Sequence, residues 1–248
     1  MQLLIDAGNT RIKWALTVPG QSPGAWQSSG SVAHNDYGQL DLAWEGRSFS
    51  EVLVSNVAGN ALADRLRHSL QRCGVPSEAI RWFRARQECA GVKNTYAQPE
   101  QLGCDRFASL IGARYRFPGE RLLVVTCGTA TTIDALEADG SFIGGMIVPG
   151  LGTMANSLAV NTALLPAVVA AKRERVFADN THDAIMSGCL SAQVGAIAQA
   201  MAQRQAPGAR CVISGGAAPY IVPHLPFPCD AVDNLVLLGL HAFVAGAS

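Results

Sequence analysis

Short apolar runs that end in small, polar turns recur along this chain. Leu3-Leu4-Ile5 runs into Asp6-Ala7-Gly8-Asn9-Thr10, and Leu123-Val124-Val125 runs into Thr126-Cys127-Gly128-Thr129-Ala130. Aligning the two sets Asp6 against Thr126 and Gly8 against Gly128. A second pair follows in the same order: Val52-Leu53-Val54-Ser55-Asn56-Val57-Ala58, and Cys211-Val212-Ile213-Ser214-Gly215-Gly216-Ala217. Any two buried strands share some of this pattern, so each match is weak alone. Their common order predicts a duplicated α/β unit, with an insertion in the second copy.

The remaining pattern fills in the elements. Residues 11–18 continue from the first turn as a strand, stopped by Pro19-Gly20. Residues 131–137 and 141–147 flank Asp139-Gly140, a strong hairpin signal. Helices are predicted over 61–73, 100–117 and 181–203, the last with Asn180 or Thr181 as N-cap and Gly208 beyond its end. Pro118-Gly119 marks a lobe boundary, giving lobes of 1–117 and 118–248, both of ordinary domain size. A final helix near 234–244 can pack on either lobe. Glycines 144, 145, 150 and 152 with Pro149 read as a loop, and the four tryptophans, all in the first half, as core or interface.

Composition narrows the class. The chain has 248 residues, 49% hydrophobic and 15% charged, as in a compact globular protein. Nineteen Lys and Arg balance nineteen Asp and Glu, so no positive field invites a nucleic acid. The one dense basic segment, Lys172-Arg173-Glu174-Arg175, reads as solvated surface. Seven scattered cysteines without a C-x-x-C pair suggest reduced thiols in a cytoplasmic protein. The dispersed histidines show no zinc spacing. Asp6 inside the first apolar stretch argues against a secretory signal. The apolar regions 163–171 and 235–247, interrupted by Pro166 and His241, fall short of a bilayer span, so no membrane association is expected.

The turns are where chemistry is expected. A glycine at a strand end lets backbone N–H groups approach a phosphate, and Asn9 and Thr10 add side-chain donors. Asp6 there suits Mg²⁺, directly or through water, and Lys13 can reach the same phosphates. The plainer reading is an ordinary strand and turn. Gly128-Thr129-Ala130-Thr131-Thr132 adds a second hydroxyl-rich turn, and two such turns from related halves would clamp a nucleoside triphosphate from both sides. No G-x-x-x-x-G-K-[ST] occurs, which removes P-loop chemistry. Ser214-Gly215-Gly216-Ala217 is a third turn, suited to close passage of a flat adenosine or simply to entry into a helix.

Taken together, Asp6-x-Gly8-Asn9-Thr10, Gly103-Cys104-Asp105-Arg106, Gly128-Thr129-Ala130-Thr131-Thr132-Ile133-Asp134, Gly144-Gly145-x-Ile147-x-Pro149-Gly150 and Asn180-Thr181 resemble type III pantothenate kinase. The resemblance covers residues 3 to about 217. It implies the actin-like fold of the acetate and sugar kinase/Hsp70/actin superfamily, with two RNase H-like lobes. It also implies a homodimer with the substrate site at the subunit interface. The implied reaction moves the γ-phosphoryl group of ATP, with Mg²⁺, to the primary hydroxyl of pantothenate.

By the same resemblance Asp105 is the general base. Tyr96, Gly103, Cys104, Asp105 and Arg106 hold pantothenate, together with Thr181 contributed from the other subunit. Asp6, Ala7, Gly8, Asn9, Thr10, Arg11, Ile12 and Lys13, with Gly128 and Thr129, bind ATP, and Asp6 is the candidate Mg²⁺ ligand. Without it, Asp105-Arg106 reads as a helix-terminal acid and an exposed partner, Tyr96 as a half-buried surface residue, and Thr181 as a helix cap. Asp134 lies near the Mg²⁺ or satisfies a turn. One position departs from the pattern. Where the family usually carries an aspartate that binds K⁺ or NH₄⁺, this chain has Thr126, a neutral and weaker ligand. Either a weakened monovalent cation site or none remains. The alternatives are a kinase for another small alcohol, or a non-catalytic regulatory protein that binds nucleotide or pantothenate.

Overall fold

The computed structural model describes residues 1–162, 165–166, 175–204 and 208–246. The chain divides into two compact units, Met1–Pro118 with Leu235–Ser248, and Gly119–Asn234. Lys172, Arg173 and Glu174 of the basic segment, and most of the apolar region 163–171, lie outside the described residues.

In the first unit, strands β1 (Gln2–Ala7), β2 (Arg11–Thr17) and β3 (Ser28–Ala33) form an antiparallel meander. Helix α1 (Gly38–Trp44) leads to β4 (Glu51–Asn56), which lies parallel to β1, and α2 (Asn60–Arg72) leads to β5 (Ile80–Trp82). The sheet order is β3-β2-β1-β4-β5. A small hairpin, β6 (Glu88–Cys89) and β7 (Val92–Asn94), precedes helix α3 (Cys104–Arg116).

The second unit repeats this plan. Strands β8 (Leu122–Cys127), β9 (Ala130–Leu136) and β10 (Ser141–Pro149) form the meander. Helices α4 (Leu151–Asn161) and α5 (Thr181–Ala202) stand where α1 does. Strand β11 (Arg210–Ser214) lies parallel to β8, then α6 (Ala218–Ile221) leads to β12 (Cys229–Ala231), parallel to β11. The order β10-β9-β8-β11-β12 reproduces that of the first unit. The register makes the duplication specific: Asp6 stands opposite Ser55, and Thr126 stands opposite Ser214.

Apolar burial explains the elements. The alternating and continuous apolar residues of β1, β2 and β4 fill one core with Leu62, Leu66 and Leu70 of α2 and with Trp14 and Trp44. Trp26 and Trp82 are half-buried. Helix α3 is buried on nearly every side, from Arg106 to Arg114. The last helix, α7 (Leu235–Val244), packs against it. The crossing depends on two glycines: a Cβ on Gly239 would lie 1.8 Å from the Ala108 carbonyl oxygen, and one on Gly112 would lie 2.5 Å from that of Leu235. In the second unit Ile185, Met186, Cys189, Leu190 and Ile197 of α5 pack on Leu123, Val125 and Ile133. At 22 residues α5 is long and apolar enough to cross a bilayer by composition alone. One face of it is packed in the core of its unit.

Three expectations shift. Residues 100–103 are not α-helical: Pro99–Gln101 make a 3-10 turn, and Gly103, with extended ψ 134°, precedes the first turn of α3. The glycine-rich stretch 144–152 is not a loop. Gly144 and Gly145 pair with Ala135 and Asp134 after a bulge, and α4 starts at Leu151. The N-cap of α5 is Asn180, whose side chain accepts the Asp183 N–H at 3.0 Å, which leaves Thr181 exposed as the first helical residue.

Candidate active site

In the first unit the end of β1 gathers most of the residues singled out by sequence. Asp6 stands directly opposite Lys13 on β2 and Ser55 on β4. Cross-strand partners share a face, so carboxylate, ammonium and hydroxyl converge. The turn after β1 closes with the Gly8 N–H donated to the Arg11 carbonyl at 3.1 Å. His34 holds it from behind, with Nε2 3.0 Å from the Gly8 carbonyl oxygen. Ala7 and Ile12 are fully buried, so they offer this turn only backbone. Asn9 and Thr10 are exposed. The Arg11 guanidinium is spent on β3, donating to Ser31 Oγ at 2.7 Å and to the Ser31 carbonyl at 3.0 Å.

The start of α3 is seated on the same strand end. The Ser55 hydroxyl donates to Cys104 Sγ at 3.3 Å, and the Cys104 thiol reaches the Asn56 carbonyl at 3.5 Å. Asp105 therefore comes near Asp6. Its Oδ1 accepts the Arg106 N–H at 2.8 Å, and it occupies the space where a Cβ on Gly103 would stand, 2.7 Å away. A side chain at position 103 would have to displace that carboxylate. Arg106 is buried and its Nη1 lies 3.4 Å from the Tyr96 hydroxyl. Tyr96 is presented by Asn94, which accepts the Tyr96 N–H at 3.1 Å and donates to the Pro99 carbonyl at 2.9 Å.

Burial in this corner raises both carboxyl pKa values. Asp6 is pushed up to about 7, first by burial; Lys13 opposes the rise and the charge of Asp105 adds to it. Asp105 is raised by burial, against the N–H and the charge of Arg106. A divalent cation fits beside such a pair, since it supplies the positive charge that two desolvated carboxylates lack.

The second unit keeps the layout without the charges. Thr126 stands opposite Thr132 and Ser214, the places held by Asp6, Lys13 and Ser55 in the first unit. The Thr132 hydroxyl is buried and finds no hydrogen-bond partner among the described residues. Asp134 is buried further along β9, opposite Val124. The turn is one residue shorter, with the Gly128 N–H donated to the Ala130 carbonyl at 2.9 Å. It is braced by the start of α4: the Gly150 N–H and the Thr153 hydroxyl both donate to the Thr129 carbonyl, at 2.9 and 2.7 Å. A Cβ on Gly150 would lie 2.0 Å from the Gly128 carbonyl oxygen, so that position admits no side chain. Gly215, at φ +101°, packs on Cys127 in the same way. Thr181 lies apart from these turns, lining an apolar groove of about 530 Å³ with Met154, Leu158 and Ile185.

Sequence reasoning missed three residues here. Asn94 carries a detectable signal, an Asn two residues before the residue whose N–H it accepts. Cys104 also seats α3, and Ser55, its partner, and His34 act across the sheet, where no local pattern reports them.

Two sheets that share a five-strand order, each with a glycine turn after its first strand, define an actin-like α/β fold. Among solved structures, a Baf family protein from Campylobacter jejuni superposes with TM-score 0.61 at 17% identity, covering 98% of each chain. The ethanolamine utilization protein EutJ from Carboxydothermus hydrogenoformans gives 0.54 at 12%, over 98% of this chain and 88% of that one. The type III pantothenate kinase family profile matches residues 2–203. Type III pantothenate kinases from a Janthinobacterium strain and from Herminiimonas arsenicoxydans are 53% and 50% identical to it, each over 97% of this chain and 96% of theirs. The chain belongs to the type III pantothenate kinase family.

Proposed function

We propose that this chain phosphorylates the primary hydroxyl of pantothenate with ATP, the first step toward coenzyme A, and that Asp105 is its general base. The observation that carries the assignment is the seating of α3, which brings Asp105 beside Asp6 and the first glycine turn. A desolvated carboxyl of raised pKa is a stronger base than an exposed one, and it needs only to accept the hydroxyl proton as the oxygen attacks. Arg106, tied to Tyr96, donates to the substrate's oxygens, and Gly103 and Cys104 fix the backbone around them. In a loose phosphoryl-transfer transition state this positioning is most of the catalytic task.

On the ATP side, the backbone of residues 6–13 with Asn9, Thr10 and Lys13 takes the phosphates, and Gly128 and Thr129 form the second turn. Asp6 would hold Mg²⁺, which neutralises charge on the phosphates. Thr126, Thr132 and Ser214 provide hydroxyls without charge, which supports a reaction independent of K⁺ or NH₄⁺. Phosphorus NMR tests both points. A new phosphomonoester is expected only with pantothenate and MgATP together, at the same rate in Na⁺ buffer and with K⁺ or NH₄⁺ added. A rate that rises steeply with either cation would restore the cation site.

His34 is a positioning residue in this scheme. His34→Ala is expected to raise KM for ATP roughly two- to tenfold, the worth of one hydrogen bond, with KM for pantothenate unchanged and partial rescue in His34→Gln. Equal changes in both KM values would reduce His34 to a folding role.

The active form is a cytoplasmic homodimer in which Thr181 completes the partner's pantothenate site. Exposed Ile147 and Val160, 62% and 72% accessible, support this reading as surface for a second copy. Sedimentation is expected to show a dimer that Val160→Glu dissociates, with loss of pantothenate affinity; a fully active monomer would refute it.

A further inference from the structure

Cysteines converge in the second unit, away from the residues proposed for catalysis. Cys211 on β11 and Cys229 on β12 are direct partners in a parallel pair, so their thiols leave the sheet on the same face. Neighbouring strands lie about 4.8 Å apart, within the Cα separation that a disulfide spans. The Cys229 Sγ also lies 3.9 Å from the Phe227 carbonyl oxygen, at the same strand end. The accessibility of the two thiols differs. Cys211 is 1% exposed, whereas Cys229 is only partly buried at the start of the terminal strand of the sheet order.

This asymmetry divides the labour. The neighbouring Cys211 holds the Cys229 thiol below its usual pKa, against burial and the charge of Asp230. The neighbouring Cys229 and burial together raise the pKa of Cys211. Arg210 offsets the acid beside them, reaching Asp230 Oδ2 at 2.8 Å and Glu120 Oε2 at 2.6 Å. The third neighbour, Cys127 on β8, is fully buried and its thiol is pushed up to about 12, which leaves it inert.

We propose that Cys211 and Cys229 form a reversible thiol–disulfide site, in which Cys229 reacts with the oxidant and Cys211 resolves it. With a peroxide, the Cys229 thiolate attacks one oxygen, the O–O bond breaks, and a sulfenic acid forms as hydroxide or alkoxide leaves. The Cys211 sulfur, giving up its proton, then attacks the sulfenic sulfur. The S–O bond breaks, water leaves and the S–S bond closes. The two thiols lose two electrons, which the peroxide gains. Exchange with a small thiol reverses the bridge.

The bridge would also be felt beyond the pair. Strand β11 runs from Cys211 directly into the Ser214–Gly216 turn, and β12 is joined to it by the Val232 N–H donated to the Ile213 carbonyl at 2.9 Å. A covalent bond between these two strands therefore acts on the base of that turn. On the sequence reading of that turn as the passage for a flat adenosine, which rests on the proposed function, oxidation changes KM for ATP and leaves KM for pantothenate unaltered.

Thiol mapping by mass spectrometry tests the site whether or not the chain is a kinase. The full-length protein is treated with hydrogen peroxide, its remaining thiols are alkylated, and the digest is searched for linked peptides. The expected product joins Cys211 to Cys229, with the other cysteines alkylated, and disappears on reduction. Cys229→Ser should leave Cys211 reduced, and Cys211→Ser should leave a sulfenic acid on Cys229 that dimedone traps. Oxidation of Cys73, Cys89 or Cys104 with Cys211 and Cys229 still reduced would overturn the proposal. A bridge that forms with KM for ATP unchanged would overturn its coupling to the nucleotide.

Discussion

Asp105→Asn is expected to lower kcat by roughly 10²- to 10⁴-fold, the usual worth of a positioned base, while both substrates still bind within a few-fold. The geometry makes this substitution informative. An asparagine Oδ1 can still accept the Arg106 N–H that Asp105 accepts at 2.8 Å, and it fills the same space over Gly103. The start of α3 remains seated through Cys104 and Ser55. What disappears is the ability to take a proton. Calorimetric titration of pantothenate and of ATP, beside single-turnover kinetics, separates chemistry from binding. If the variant turned over at the parent rate, Asp105 would be a helix-terminal acid and the catalytic assignment would fail. The same outcome would favour a regulatory protein that binds these ligands without acting on them.

The second large effect concerns Asp6. Its pKa is raised from 3.8 to about 7, so the folded protein holds this proton more tightly than the unfolded chain does. Linkage then makes the contribution of this group to stability fall as pH rises from about 4 to 7, with the full penalty present above 7. Asp6→Asn removes the penalty. At pH 8 the variant is expected to be more stable by on the order of 1–3 kcal/mol, below the roughly 4 kcal/mol of the undiscounted shift, because solvent reaches this half-buried carboxyl. At pH 4 the gain should be nearly absent. The variant should also lose almost all activity, since an amide is a poor Mg²⁺ ligand beside Asp105. Thermal melts at the two pH values, without nucleotide, check the first part. An equal gain at both would show that Asp6 is not desolvated. For the parent enzyme, kcat/KM for MgATP is expected to rise with pH through about 7 as the carboxylate forms.

The sequence carried the duplication because both copies use uniform apolar strands ending in small turns, and the register then equates Ser55 with Ser214 as the pattern proposed. Strand β3 was not legible. Its sequence, Ser28-Ser29-Gly30-Ser31-Val32-Ala33, has almost no apolar periodicity, because Gly30 lies under the Trp14 ring and supplies no side chain of its own. The place of α7 was not legible either. Its contact with α3 rests on Gly112 and Gly239, residues that are distant in sequence and carry no signal of their own.

The candidate site divides along the same line. Asp6, Lys13 and Asp105 stand out as residue types, and the strand pairing brings Asp6 to Lys13. The contacts that hold the Gly8 turn and the start of α3, from His34, Ser55 and Cys104, are ones that only the fold reveals. The contrast between the halves is legible in one substitution: Thr126 where the first half has Asp6. The structure extends it to a pair, with Thr132 in place of Lys13. One unit thus carries the charged chemistry, and its copy offers a neutral turn.

The most direct test of the account is ADP release by the purified protein with MgATP, measured with and without pantothenate. The account predicts release that depends on pantothenate and is abolished in Asp105→Asn. ADP release indifferent to pantothenate, or none at all from a protein that still binds it, would contradict the central claim.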